Sequence, residues 1–331
     1  GINALPGSGI NGLNGDLFAQ EINYNEQAQT TSIFTTGNLN GAFEPQYNGN
    51  IAATRWHTDQ QTPMAYLFEY DGLNRIKQAQ DLSYSSNWSL ENHFETSYTY
   101  DRNGNFGFLT RKGKTAGTYD QPPQTFGLID NLSYSYEGNQ LMQVVDNVSG
   151  SFPDLDHFVD GNTGSNDYDY DENGNLTLDK NQDITGISYN HFNKPTEITF
   201  SSGQKIGYIY SSDGTKLRQK VFNSSGNLTS YNDYVGPVHY ENPDAVDRPQ
   251  IAFIAHAEGR LRPVGGEMVY EYVLRDHLGN TRVTFGDLND DESPEILQQD
   301  HYYPFGLSMQ TPGGLVAAPP NQYRYNGKEV D

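Results

Sequence analysis

The groups best equipped for chemistry in this 331-residue chain are its carboxylates. The stretch Phe285-Gly286-Asp287-Leu288-Asn289-Asp290-Asp291-Glu292-Ser293-Pro294-Glu295 sets oxygen donors at Asp287, Asn289 and Asp291. That alternate spacing imitates a calcium loop, in which a hard cation gathers roughly six to eight oxygens. Counted from Asp287, the sixth position needs glycine for a sharp turn and holds Glu292, and the twelfth holds uncharged Gln298 instead of a bidentate glutamate. A solvated acidic loop is therefore expected, with Asp287, Asn289 and Asp291 the candidate ligands should Ca2+ bind. Asp167, Asp169 and Asp171 share a parity that would project them to one face of an extended strand. An aspartic-protease pair needs a shielded site in which two carboxylates share a proton; solvated hairpin aspartates are expected instead. The 8 histidines are scattered, with no H-E-x-x-H pair. Gly7-Ser8-Gly9-Ile10-Asn11-Gly12 spells G-x-G-x-x-G, but no strand precedes it and no crossover helix follows. No serine nucleophile elbow or phosphate-binding loop is present. No catalytic residue is assigned, and no cofactor is expected apart from the Ca2+ alternative.

Composition narrows the rest. Hydrophobic residues make up 34 %, yet 24 Tyr, 16 Phe and 2 Trp supply rings that disordered chains lack. With 34 Gly between them, this profile describes many strands joined by tight turns, an all-β composition. A net charge of −22 repels phosphate backbones and anionic membranes, so nucleic-acid binding is not expected. There is no cysteine, which removes disulfides and thiolate metal sites. No apolar run is long enough to span a bilayer as a helix, so no membrane insertion is expected. The start, GINALPGSGINGLNG, lacks the basic and apolar regions of a signal peptide, and the chain is expected to begin within something longer.

The elements that must position these groups announce themselves by a repeated phrase. Tyr100-Asp101-Arg102-Asn103-Gly104-Asn105 returns as Tyr170-Asp171-Glu172-Asn173-Gly174-Asn175. Weaker forms begin at Tyr70, Tyr136, Tyr189, Tyr210, Phe222 and Arg275. Tyr170 to Tyr189 is 19 residues and Tyr189 to Tyr210 is 21, which suggests a period near 20 with insertions. Each phrase reads as a β-hairpin. Glycine accepts the positive φ of the reversal, aspartate accepts hydrogen bonds from turn amides, and the tyrosine beside the turn packs across strands. One hairpin is marginal alone, so the units must join into a long sheet. Ala65–Gln80 reads as two strands around Gly72. Thr115–Thr125 and Pro312–Asn321 read as irregular surface loops.

A tyrosine-aspartate phrase at this period resembles the YD repeats of the RHS family. Arg275-Asp276-His277-Leu278-Gly279-Asn280-Thr281-Arg282 is similar to the signature that opens the RHS-associated core. Asp300-His301-Tyr302-Tyr303-Pro304-Phe305-Gly306 and Tyr323-Arg324-Tyr325-Asn326-Gly327-Lys328-Glu329 resemble its following elements, in the same order. The resemblance covers about Tyr66 to Asp331. It implies a ribbon of YD-repeat hairpins that spirals into part of a hollow shell around a C-terminal toxin or other cargo of the same polypeptide. It gives His277 and His301 structural places. It also implies an upstream β-repeat region over 1–65, a YD-repeat shell over 66–269 and the start of the RHS-associated core over 270–331. Family cores continue into an Asp-Pro segment where paired aspartates cleave the chain, and no Asp-Pro occurs here.

The expected function is a non-enzymatic encapsulating scaffold. It belongs to a larger secreted protein at the cell surface or beyond, with its own cargo and type IX secretion components as partners. Two alternatives remain: an adhesin stacking glycans on exposed rings such as Trp56 and Trp88, and a self-cleaving core whose catalytic segment lies past Asp331.

Overall fold

A computed structural model describes residues 17–25, 44–58, 61–85, 88–118, 121–150, 152, 155–245, 248–288, 294–309 and 320–329. All regular structure there is strand, apart from a 3-10 turn at Tyr325–Gly327. A nine-stranded sheet holds β1 (Phe18–Asn23), β2 (Ala53–Thr58), β3 (Met64–Tyr70), β4 (Ile76–Tyr84), β5 (Trp88–Leu90), β6 (Thr96–Tyr100), β7 (Phe106–Thr118), β8 (Gln121–Glu137) and β9 (Gln140–Asp146). A thirteen-stranded sheet follows with β10 (Tyr168–Tyr170), β11 (Leu176–Asp179), β12 (Ile184–Tyr189), β13 (Pro195–Phe200), β14 (Lys205–Tyr210) and β15 (Lys216–Phe222). It continues through β16 (Leu228–Val235), β17 (Val238–Asn242), β18 (Gln250–His256), β19 (Gly259–Val264), β20 (Glu267–Arg275), β21 (Thr281–Gly286) and β22 (Glu295–Gln299). β23 (His301–Tyr302) and β24 (Ser308–Met309) form a small closing hairpin.

Nearly every strand pairs antiparallel with its neighbour in sequence, so each sheet is a meander. Only β5 leaves the path, pairing with β4 alone while β4 also pairs with β6. The expected hairpins are present: β3 and β4 flank Gly72, and β10 and β11 flank Gly174. One expected loop is not. Thr115–Thr125 belongs to the long hairpin of β7 and β8, where Lys114 faces Phe126 and Ala116 faces Thr125 across register shifts. Unpaired strand amides are costly and a facing strand satisfies them, which outweighs the turn-rich composition. The other expected loop, Pro312–Asn321, lies outside the described residues over 312–319.

The packed clusters centre on the first sheet. Ala53, Ala65, Leu67, Leu82 and Trp88 form one cluster within the first sheet. Trp56, Tyr66, Phe94 and Ile129 pack against Tyr303 and Met309 of the closing hairpin and its turn. Tyr98, Leu109, Leu132 and Val144 carry the core across to Tyr168 in β10. From β11 to β18, by contrast, most strand residues are half-buried, and Tyr234 is the hydrophobic side chain described as buried there. A sheet with little covering it needs few aliphatic side chains, in keeping with the low hydrophobic fraction.

Candidate functional site

The repeated phrase builds one local device many times over. In Asp171–Asn175, the Asp171 N–H donates to the Asn175 carbonyl at 2.9 Å, and Gly174 N–H donates back to the Asp171 carbonyl at 3.0 Å. Asp171 Oδ1 accepts from the N–H groups of Asn173 and Asn175 at 2.9 and 2.8 Å, and Oδ2 accepts from Asn175 Nδ2 at 2.9 Å. Asp101 repeats this with Asn103 and Asn105, and Asp71 with Leu73 and Arg75. These donors hold all three carboxyls below the usual carboxylate range, led by the side-chain bonds from Asn175, Asn105 and Arg75. Asn190 and Asn223 do the same with amide oxygens. The residue three after the carboxylate takes the left-handed conformation: Gly104 at φ 93° and Gly174 at φ 81°. In the Tyr70 unit that residue is Asn74 at φ 63°, and Gly72 is not in the left-handed region. The turn glycine expected there is therefore displaced by an asparagine, which tolerates that conformation through its short polar side chain.

The tyrosine of each phrase does more than pack. Tyr100 Oη donates to the Ile76 carbonyl at 2.7 Å, Tyr170 Oη to Leu141 at 2.8 Å, and Tyr189 Oη to Leu176 at 2.6 Å. Tyr210 Oη donates to Pro195 at 2.9 Å and Tyr302 Oη to Thr281 at 2.8 Å. In each case the acceptor lies at the start of the strand that leaves the neighbouring unit's turn: it is the first residue for Ile76, Leu176, Pro195 and Thr281, and the second for Leu141. A hydroxyl at the mouth of one hairpin thus pins the mouth of another. Burial raises the pKa of Tyr70, Tyr100, Tyr170, Tyr189 and Tyr210, so all remain donors at neutral pH. Turn-to-turn bonds add to the row, among them Asn103 Nδ2 to Asn139 Oδ1 at 2.9 Å and Asn175 Nδ2 to Asn193 Oδ1 at 3.1 Å.

The two sheets are spliced at Asp167. Expected as a solvated aspartate, it is fully buried, whereas Asp169 is exposed. Its N–H donates to the Met142 carbonyl at 2.8 Å, Oδ2 accepts from Val144 N–H at 2.8 Å, and Oδ1 accepts from Asn162 Nδ2 at 2.7 Å. Two bonds from groups outside β10, one to each oxygen, satisfy the carboxylate, which is what makes burial tolerable. Strand parity could show a shared face, but not that β9 runs beside it.

The closing motifs converge on the first sheet. Asp276 occupies the turn-aspartate position, accepting from Leu278 and Asn280 N–H at 3.0 Å and from Asn280 Nδ2 and Arg282 Nε at 2.9 Å. Burial would push its pKa up, but Arg282 and Asn280 outweigh that and hold it low. The Arg282 guanidinium lies 5.0 Å from the Tyr302 ring and 5.5 Å from the Trp56 ring. His301 is buried, and its Nδ1 accepts from Trp56 Nε1–H at 2.8 Å. Burial first, then Arg282 and His57, drive its pKa down to about 3. Asp300 beside it is pushed up to about 6 by burial, against the pull of Arg324 and Gln298. Behind these, the Glu329 carboxylate meets Lys216 Nζ at 2.9 Å on β15. The described residues of the closing motifs, 300–309 and 320–329, thus touch both sheets.

The candidate catalytic and binding groups fare differently. Asp287 is described just after β21, while Asn289 and Asp291 lie outside the described residues. Among the described residues no group of three or more His, Asp or Glu could hold a metal ion. Trp56 and Trp88, expected as exposed glycan platforms, are 1 % and 3 % exposed. Both rings are spent on the core and on Tyr66 and Tyr84. No described helix is long and apolar enough to cross a membrane.

No family model matches the chain, and no curated protein does. Solved structures do. One is TcdB2-TccC3-TEV, at 14 % identity and a TM-score of 0.51, covering 95 % of this chain and 16 % of that one. The Tc holotoxin pore of Photorhabdus luminescens with a mutated TccC3 matches at 14 % identity and 0.50, again over 95 % and 16 %. TcdB2-TccC3-Cdc42 matches at 14 % and 0.50 over 87 % and 16 %. The likeness is one of fold, and the chain spans about one sixth of the chains it resembles.

Proposed function

We propose that this chain is a section of an RHS/YD-repeat shell, a scaffold that encloses or displays a C-terminal effector of the same polypeptide. The observation that carries the reading is the chain of tyrosine-to-carbonyl bonds between successive turns, which lets a sheet with little core propagate unit by unit. The fold likeness to TcdB2-TccC3 chains supports it, as does the packing of the closing motifs across both sheets. The proposed role is architectural and uses no catalytic step within this section. In the same reading the parent protein is exported, through a dedicated system of the type IX kind, and works at the cell surface or outside it. Its partners are then its own cargo and the components of that system.

Electron microscopy of the parent polypeptide, with trypsin digestion in parallel, tests the proposal. A hollow particle that protects an internal polypeptide from cleavage is expected. A solid or extended particle, cleaved along its whole length at similar rates, would overturn it.

A further inference from the structure

Between β17–β20 and the segment running from Asn321 to Gly327 lies a cavity of about 150 Å3. Its walls are unusual for a chain with 42 acidic and 20 basic residues: Arg260 and Arg275 line it, and among the described residues no Asp or Glu does. The nearest ionic network leaves positive charge over. Arg260 and Arg262 both bond through Nε to the single carboxylate of Glu271, Arg260 at 2.6 Å, with all three side chains buried. One buried carboxylate cannot neutralise two guanidiniums, and the deficit sits at the cavity wall. Arg275 adds a second cation, exposed and held by one bond from Nη1 to the Ala257 carbonyl at 3.2 Å. Serving Glu271 explains why Arg260 is buried, but it does not explain Arg275 at the same cavity.

Aromatic rings make up another part of the lining, beside polar groups of His256, Thr281 and Asn321. Phe253 stacks on His239 at 4.2 Å between centroids, and Tyr323 meets both edge-on at 5.7 Å. The Arg260 guanidinium lies 5.6 Å from the Phe253 ring. Planar forks of N–H donors beside aromatic faces suit a planar anion with an apolar body. The volume admits a ligand of roughly benzoate size and not a nucleotide.

We propose that this pocket binds a small organic carboxylate, with Arg260 and Arg275 meeting its oxygens and Phe253 and Tyr323 flanking its apolar part. The carboxylate could come from a free acid or from an acidic side chain presented by another polypeptide. Calorimetric titration of the intact chain with sodium benzoate, and separately with N-acetyl-glutamate N-methylamide, separates the two sources. Saturable binding of either probe at millimolar concentration or below supports the site. Arg275→Gln should weaken it at least tenfold, while Lys77→Gln on the first sheet should leave it unchanged. Arg275→Lys, which keeps the charge and loses the fork, should fall between and serves if the glutamine variant does not fold. The assignment is overturned by no saturation with either probe up to about 10 mM, where binding would be weaker than about 3 kcal/mol. It is equally overturned by binding that ignores Arg275, or by inorganic phosphate binding as tightly as the carboxylates.

Discussion

Replacing Tyr170 with Phe removes one oxygen and leaves the ring in place. The hydroxyl donates to Leu141 O at 2.8 Å, and a typical neutral hydrogen bond contributes about 1 kcal/mol. Urea unfolding of Tyr170→Phe should therefore show a loss of about that size with an unchanged m-value, and an unchanged midpoint would remove the bond from the structure's support. Gly174→Val asks a different question. At φ 81° a Cβ meets nothing within 4 Å, so the cost is backbone strain and not a clash. A β-branched residue in that conformation should cost about 1–2 kcal/mol, readable as a lower melting temperature. The turn chemistry was visible in Asp171, Asn173 and Gly174 because all its partners lie within a few residues. The hydroxyl's acceptor was not, since Leu141 is 29 residues away from Tyr170.

At the scale of elements, the strands followed from alternation and punctuation, and the errors came where pairing overrode composition. The β7–β8 hairpin absorbed a stretch whose Gly, Thr and Pro content reads as loop, because each strand offered the other backbone partners even across the register shifts. The β9–β10 splice is the element-level feature with the sharpest consequence. Asp167→Ala would leave the buried Val144 N–H without its acceptor, a loss of about 1–3 kcal/mol. Hydrogen exchange should quicken at Val144 and its neighbours while the amides of β14 and β15 keep their protection. Uniform acceleration across both sheets would show that the splice is not a local joint.

At the scale of the molecule, the closing segment binds the two sheets together through a contact that titrates. His301 has its pKa lowered to about 3 in the folded protein. The unfolded chain therefore takes up a proton near pH 6.5 that the native state refuses, and stability falls as the pH drops from there towards 3. A proton on Nδ1 would also set donor against donor at Trp56 Nε1. Asp300 works the other way. With its pKa raised from 3.8 to about 6, the native state binds a proton first, and stability rises as the pH falls between those values. Melting temperatures from pH 7 to pH 4 should separate the two. Asp300→Asn should steepen the acid loss. His301→Gln, which still offers Trp56 an acceptor, should flatten or reverse it. Identical profiles for both variants and the parent chain would show that neither group governs the junction.

What the amino-acid order determined unaided is the hairpin: aspartate, spacers, left-handed glycine or asparagine, and a tyrosine at the mouth, repeated until an all-β ribbon is unavoidable. Those interactions span a handful of residues, so local chemistry settles them in any context. Only the folded chain decided which face Asp167 occupies, where each hydroxyl lands, and that Trp56 and His301 meet across 245 positions. Such contacts depend on how many strands intervene and how the sheets are carried past one another. That geometry accumulates over the whole meander and is written in no single stretch of it.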